Sequence, residues 1–233
     1  MWKVGDFAQE TRVIASGHAR LDEELPGGGW PLGVMVEVLQ HEPSRHAWQL
    51  VLPALAQAVK QSAGPVVLVS PPHVPFGPSL QAQGLPAQRL LCVKAAKPSS
   101  RLWACEQALK CADVAAVMAW LPGARPADLR RVQMAAQQQG RLLFVFREAG
   151  VLNDASPARL RMLVEDVPGL SVKIVKRRGP PLERGLALDA HPARLAALLK
   201  LRQSRSQPLL PHVPGLMPAP GKPHVLDRAE AHS

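Results

Sequence analysis

Leu25-Pro26-Gly27-Gly28-Gly29-Trp30-Pro31-Leu32-Gly33-Val34-Met35-Val36-Glu37-Val38-Leu39-Gln40-His41-Glu42-Pro43-Ser44-Arg45-His46-Ala47 is the stretch on which the fold turns. The run Val34 to Leu39 reads as a strand, and Gln40 to Arg45 as a loop. Beyond it Trp48, Val51, Leu52, Leu55, Ala58 and Val59 share one helical face, with Pro53 set to kink that helix. The glycines ahead of the strand read as a tight turn.

Outward from this unit the same grammar repeats. Gly64-Pro65 ends the helix and Val66–Val69 is a second apolar strand. Leu90–Val93 is a third, followed by a helix from about Ser99 to Cys111. A fourth strand runs Val114–Ala119 and a fifth Leu142–Phe146, with a helix over 126–139 between them. Pro126 suits the first turn of that helix and Gly140 its end. Continuous apolar strands separated by helices predict an α/β, three-layer domain on a mostly parallel sheet. Further strands are expected at 159–164, 171–177 and 185–189. Arg159 and Arg161 alternate with Leu160, Met162 and Val164, which predicts a half-exposed antiparallel edge.

The chain has 233 residues, 47% of them apolar, enough for a sizeable core. Lys and Arg number 28 against 18 Asp and Glu, a net charge of +10. Residues 141–233 hold 15 of those cations and 8 of the acids, so the excess is concentrated there. Such a balance points to nucleic acid or an acidic protein without choosing between them. The three cysteines lack metal-ligand spacing, so neither a zinc site nor a disulfide framework is expected. Cys105 and Cys111 read as small apolar side chains lining a helix. No apolar run reaches membrane-spanning length and Met1–Glu10 lacks a signal-peptide layout, so a cytoplasmic protein without membrane contact is expected. The expected organisation is an arm at 1–9, a domain at 10–190, a helix at 191–202 and a disordered tail at 203–233. That tail holds six prolines, and Leu209, Leu210, Val213 and Leu216 between them could dock as an extended peptide.

A strand–loop–helix unit that holds nucleotide phosphates carries glycines for close backbone approach, a Lys and a magnesium-binding hydroxyl. Here the loop is Gln40-His41-Glu42-Pro43-Ser44-Arg45-His46-Ala47, with both glycines missing, His46 in the place of Lys and Ala47 in the place of the hydroxyl. The fourth strand ends in Met118-Ala119-Trp120 without the carboxylate that would hold magnesium, and Asp113 stands at its other end. Neither nucleotide hydrolysis nor any cofactor is expected. His41 and His46 read as ordinary loop histidines, and Asp22-Glu23-Glu24 as helix-end charge.

The Gly-rich lead-in, Val36-Glu37-Val38-Leu39, Leu90–Val93, Glu106-Gln107-Ala108-Leu109 and the strand after Asp113 resemble the core of the RecA family in order and spacing. Pro71-Pro72-His73 occupies the loop where RecA-type ATPases place their catalytic Glu. The basic strand Ser171–Arg178 and Gly179-Pro180-Pro181 before Gly185-Leu186-Ala187-Leu188 extend the resemblance to ImuA, the small RecA-like proteins of bacterial mutagenesis cassettes, also described as SulA-like. The resemblance covers roughly residues 10–190. It implies a RecA-like fold with a degenerate P-loop and a non-catalytic accessory role in SOS-induced translesion synthesis. The implied partners are an ImuB-type relative of Y-family polymerases, an error-prone polymerase III alpha-type subunit, RecA and DNA.

Lys173, Lys176, Arg177 and Arg178, with Arg159 and Arg161, form the candidate surface for DNA or a partner; the alternative is a solvated strand end that prevents edge pairing. No aromatic is interleaved among them, which leaves base stacking without support there. Three other readings stay open: a SulA-like inhibitor that binds FtsZ, a divergent ATPase using Arg45 or His46, and a plain basic DNA-binding protein.

Overall fold

The computed structural model describes residues 12–42, 46–165, 167, 169–180, 182 and 184–189. All of them fall in one unit of the chain, Met1–Ala196. The expected arm at 1–9, helix at 191–202 and tail at 203–233, including Leu209, Leu210, Val213 and Leu216, lie outside the described residues.

The elements in chain order are β1 (Val13–Ile14), α1 (Ala19–Glu24), β2 (Trp30–Pro31), β3 (Met35–Gln40), α2 (Ala47–Gln61), β4 (Val66–Val69), α3 (Gly77–Ala82), β5 (Leu90–Val93), α4 (Pro98–Lys110), β6 (Ala116–Trp120), α5 (Pro126–Gln139), β7 (Leu142–Glu148), β8 (Leu160–Val164), β9 (Leu170–Lys176) and β10 (Leu186–Leu188). Among the described residues they build an eight-stranded sheet in the order β10-β9-β8-β3-β7-β6-β4-β5. The pairs from β5 through to β8 are parallel, and only β8–β9 and β9–β10 are antiparallel. β1 and β2 form a separate two-stranded ribbon.

Alternate residues of each strand feed two cores, as a pleat covered on both faces requires. Val36, Val38, Leu68, Met118, Phe144, Met162 and Ile174 pack with Leu50, Val51 and Leu55 of α2. Met35, Val67, Val69, Val117, Leu143 and Val145 pack instead with Leu102 and Leu109 of α4 and Leu129 and Val132 of α5. The α/β architecture with a large, mostly parallel sheet flanked by helices is therefore present. α2 runs unbroken across Pro53, and Gly17 sits against that ring, where a Cβ would lie 2.2 Å from the proline Cβ. Cys105 is fully buried; desolvation, with Glu106 beside it, pushes its thiol up to about 12. A disulfide-exchange reagent at neutral pH should therefore titrate Cys92 and Cys111, which are exposed, and reach Cys105 only on unfolding. Three equivalents consumed by the native chain would refute this.

One expectation about the edges is corrected. The segment at 159–164 is not a half-exposed edge: β8 lies inside the sheet, parallel to β3 and antiparallel to β9. The true edge on the parallel side is β5, apolar in sequence but partly exposed, with Leu91 52% accessible.

Candidate functional site

Strand order decides where a crevice opens. After β4 the chain moves outward to β5, then returns across β4 to β6, so the connections diverge between β4 and β6. A parallel sheet binds its ligands outside the carboxyl ends of the strands at such a divergence. A cleft of about 630 Å³ lies there, lined by Gln40 from β3, Ser70 after β4, Lys94 after β5, Trp120 from β6 and Phe146 to Glu148 from β7. Trp120 and Phe146 stack in its wall at 4.7 Å between ring centroids. Ser70, held at φ 50°, donates its Oγ to the Ala95 carbonyl while its backbone N–H binds the Val93 carbonyl, pinning the ends of β4 and β5. Arg101 Nε binds the same Ala95 carbonyl at 2.9 Å.

A larger cleft of about 1110 Å³ adjoins it through Arg101 and Pro122, between the first turns of α4 and α5. Trp103, 63% exposed, stands on its rim with Arg125 and Arg131. Arg131 is tied to Glu106 at 2.9 Å.

Beneath the first cleft lies a buried charge cluster that spacing did not announce. Glu37 Oε1 meets Arg147 Nη1 at 2.8 Å and its Oε2 meets Arg161 Nε at 2.7 Å. The register puts Glu37 opposite Arg161 and places Leu39, two residues on, opposite Arg147. Arg161 also donates to the carbonyls of Val151, Leu152 and Asp154, and Arg147 to that of Ala124. One carboxylate and four carbonyls thus answer two guanidinium groups.

This places the sequence candidates differently from one another. Arg161 is corrected as a surface contact: it is 5% exposed and committed to Glu37 and the loop above it. Arg177 is corrected likewise, because its guanidinium binds the Glu24 side chain at 2.8 Å and the Pro180 carbonyl. Lys173, Arg159 and Arg178 are exposed, while Lys176 is exposed with its ammonium on the Ser156 carbonyl. The six therefore do not converge on one patch. His46, at the start of α2, has φ 58° and pairs Nδ1 with Gln49 Oε1 at 2.5 Å.

Asp113 lies outside β6, before its first residue, and Glu148 is the one carboxylate among the described lining residues of the first cleft. Among the described residues no group of three or more His, Cys, Asp or Glu is placed to hold a metal ion. No helix among them is long and apolar enough to cross a membrane. The sequence reading missed exposed Trp103 and the Glu37 cluster. A signal for the latter existed in the carboxylate standing alone inside Val36-Glu37-Val38, since a buried acid demands a buried cation.

Residues 33–143, from the turn before β3 to the start of β7, match a family model described as cell division inhibitor SulA. Protein ImuA of Caulobacter vibrioides is 32% identical over 134 residues, which cover 56% of this chain and 55% of that protein. The cell division inhibitor SulA of Yersinia enterocolitica is 31% identical over 49% of this chain and 68% of its own length. SulA of Serratia marcescens is 28% identical over the same shares. The chain thus spans little more than half the length of the ImuA protein it matches.

Proposed function

The chain belongs to the SulA family, and from that premise we propose that it is a non-catalytic adaptor of the ImuA kind, acting in SOS-induced translesion synthesis. The observation that carries this reading is the likeness to ImuA at 32% identity. It is supported by what stands at the carboxyl end of β3. A RecA-like core, residues about 10–190, would hold phosphates there, yet the loop brings no Lys, no magnesium hydroxyl and no paired glycines. We read it as a degenerate P-loop on a fold kept for its shape. Fold without site does not license turnover, so the protein would work by assembly, in the cytoplasm and on the nucleoid during DNA damage. The partners proposed are an ImuB-type polymerase relative first, then RecA, an error-prone polymerase III alpha-type subunit and DNA. Lys173, Arg159 and Arg178 remain the cations free to meet a polyanion, and the tail residues Leu209, Leu210, Val213 and Leu216 a docking segment.

The second reading is a SulA-like inhibitor of FtsZ, favoured by the family model over residues 33–143. A pull-down separates the two. The full chain, and a version ending at Gln203, are presented to purified ImuB-type protein, RecA and FtsZ. Capture of the ImuB-type protein or RecA without FtsZ is expected, weakened in the shortened chain. Capture of FtsZ alone would overturn the adaptor reading.

A further inference from the structure

The two ends of the large sheet are finished differently. At β10 the outer edge is covered: α1 packs beside it and Arg20 Nη1 donates to the Ala187 carbonyl at 2.9 Å. β5 has no such cover among the described residues. Ser70 N–H binds the Val93 carbonyl, so Val93 faces β4, and by alternation Leu91 does too. The backbone groups of Leu90 and Cys92 therefore point away from the sheet. Leu90 N–H is already given to the Ala87 carbonyl, leaving the Leu90 carbonyl and both groups of Cys92 for an outside strand.

The usual protections of an edge are missing as well. Leu90-Leu91-Cys92-Val93 contains no charge, proline or bulge. Leu91 presents apolar surface on this strand, 52% accessible, and Val74 and Phe76, each 72% accessible, lie exposed in the β4–β5 connection. Gly77, which follows Phe76, approaches Ala87 closely, so the β4–β5 connection packs at the entry to β5.

Charge then selects the occupant. From Pro43 to Cys105 there is not one Asp or Glu, while Arg45, Lys60, Arg89, Lys94, Lys97 and Arg101 all lie within it. A second copy would bring like charge against like. A nucleic acid would suit the cations but leave the strand edge and the apolar side chains unanswered.

We propose that the β5 edge is a strand-addition site for an extended segment of a partner protein that carries carboxylates beside apolar residues. This rests on the adaptor reading and names the kind of contact it uses. Main-chain bonds to Leu90 and Cys92 would hold the segment, Leu91 would supply apolar contact, and Lys94 and Lys97 would answer its acids.

Cys92→Pro tests it cleanly, because Pro removes an outward N–H that makes no bond among the described residues. The variant should keep its unfolding temperature within a few degrees, and Leu91→Pro, which removes an inward N–H, should not. Fluorescence anisotropy of a labelled alternating Val/Glu peptide against the full chain should show saturable binding, weakened about tenfold or more by Cys92→Pro. An alternating Val/Lys peptide should not bind. Equal binding of the Val/Glu peptide to both proteins, no binding to either, or displacement of it by oligo(dT) would overturn the proposal. In the pull-down, a partner captured equally by wild type and Cys92→Pro would defeat this edge and leave the adaptor standing. No capture by wild type would defeat the adaptor, with the peptide experiment still deciding the edge.

Discussion

Glu37→Ala should cost about 3–5 kcal/mol of folding free energy, among the largest effects available to a single substitution in this chain. Glu37 is fully buried, and the side chains of Arg147 and Arg161 are 5% and 6% exposed. Removing the carboxylate leaves two guanidinium groups in a low-dielectric interior with only carbonyl dipoles to answer them. The arginines should not be equivalent. Arg161→Met strips donors from three loop carbonyls, at Val151, Leu152 and Asp154, whereas Arg147→Met strips one, at Ala124. The expected order of damage is Glu37→Ala, then Arg161→Met, then Arg147→Met. Urea unfolding monitored by Trp fluorescence would read it, with an unchanged slope showing that the unfolding remains one transition. A loss below about 1 kcal/mol for Glu37→Ala would mean that water or rearrangement already solvates the cluster. The same cluster bears on function, because Arg147 also lines the carboxyl-end cleft. Loosening it should disturb the cleft wall before the distant β10 edge.

Burial on both faces made the centre of the sheet legible in advance. β4 and β6 are apolar at every position, and β3 and β7 at all but Glu37, Gln40, Arg147 and Glu148, so short apolar runs announced them. The boundaries moved by a residue or two, as at β6, which begins at Ala116 rather than Val114. β8 was misjudged for a definite reason. Arg161 alternates with apolar neighbours as an exposed residue would, and only its pairing with Glu37, 124 positions earlier, makes it interior. β1, β2 and α3 are too short to leave a periodic trace. The candidate site was less legible than the fold. Residues Gln40, Ser70, Lys94, Trp120 and Phe146 meet only because β3, β4, β5, β6 and β7 stand in one particular order, and no local pattern encodes that order. What local chemistry did disclose was the composition of the loop after β3, since the absence of any Gly or Lys from Gln40 to Ala47 is visible residue by residue.

Gly64→Ala should be the second severe substitution, and for a reason that has nothing to do with backbone conformation. Gly64-Pro65 reads in the sequence as a helix stop, a role in which Ala would be a mild change. In the structure a Cβ on Gly64 would lie 1.7 Å from the Asp113 carbonyl oxygen and 3.0 Å from the Ala115 nitrogen. Neither neighbour can yield cheaply. Ala115 N–H is bound to the Pro65 carbonyl at 2.9 Å, and Arg89 donates to the carbonyls of Ser62 and Gly64 at 2.6 and 2.5 Å. The turn is therefore clamped between the approaches to β6 and β5, and a methyl group must force β4 away from β6. Overpacking against fixed backbone costs about 2–4 kcal/mol. For a domain of this size that lowers the unfolding temperature by about 5–15 °C. Gly28→Ala supplies the contrast: its φ of 78° disfavours a side chain, yet nothing lies within 4 Å of the added methyl. That change should cost only about 1 kcal/mol. Equal effects at the two positions would show that the β4–β6 approach is looser than its hydrogen bonds imply. Because β5 pairs on β4 and Arg89 at its entry is bound to the Gly64 carbonyl, Gly64→Ala should also weaken capture of the partner protein when the fold survives at low temperature, whereas Gly28→Ala should leave capture intact.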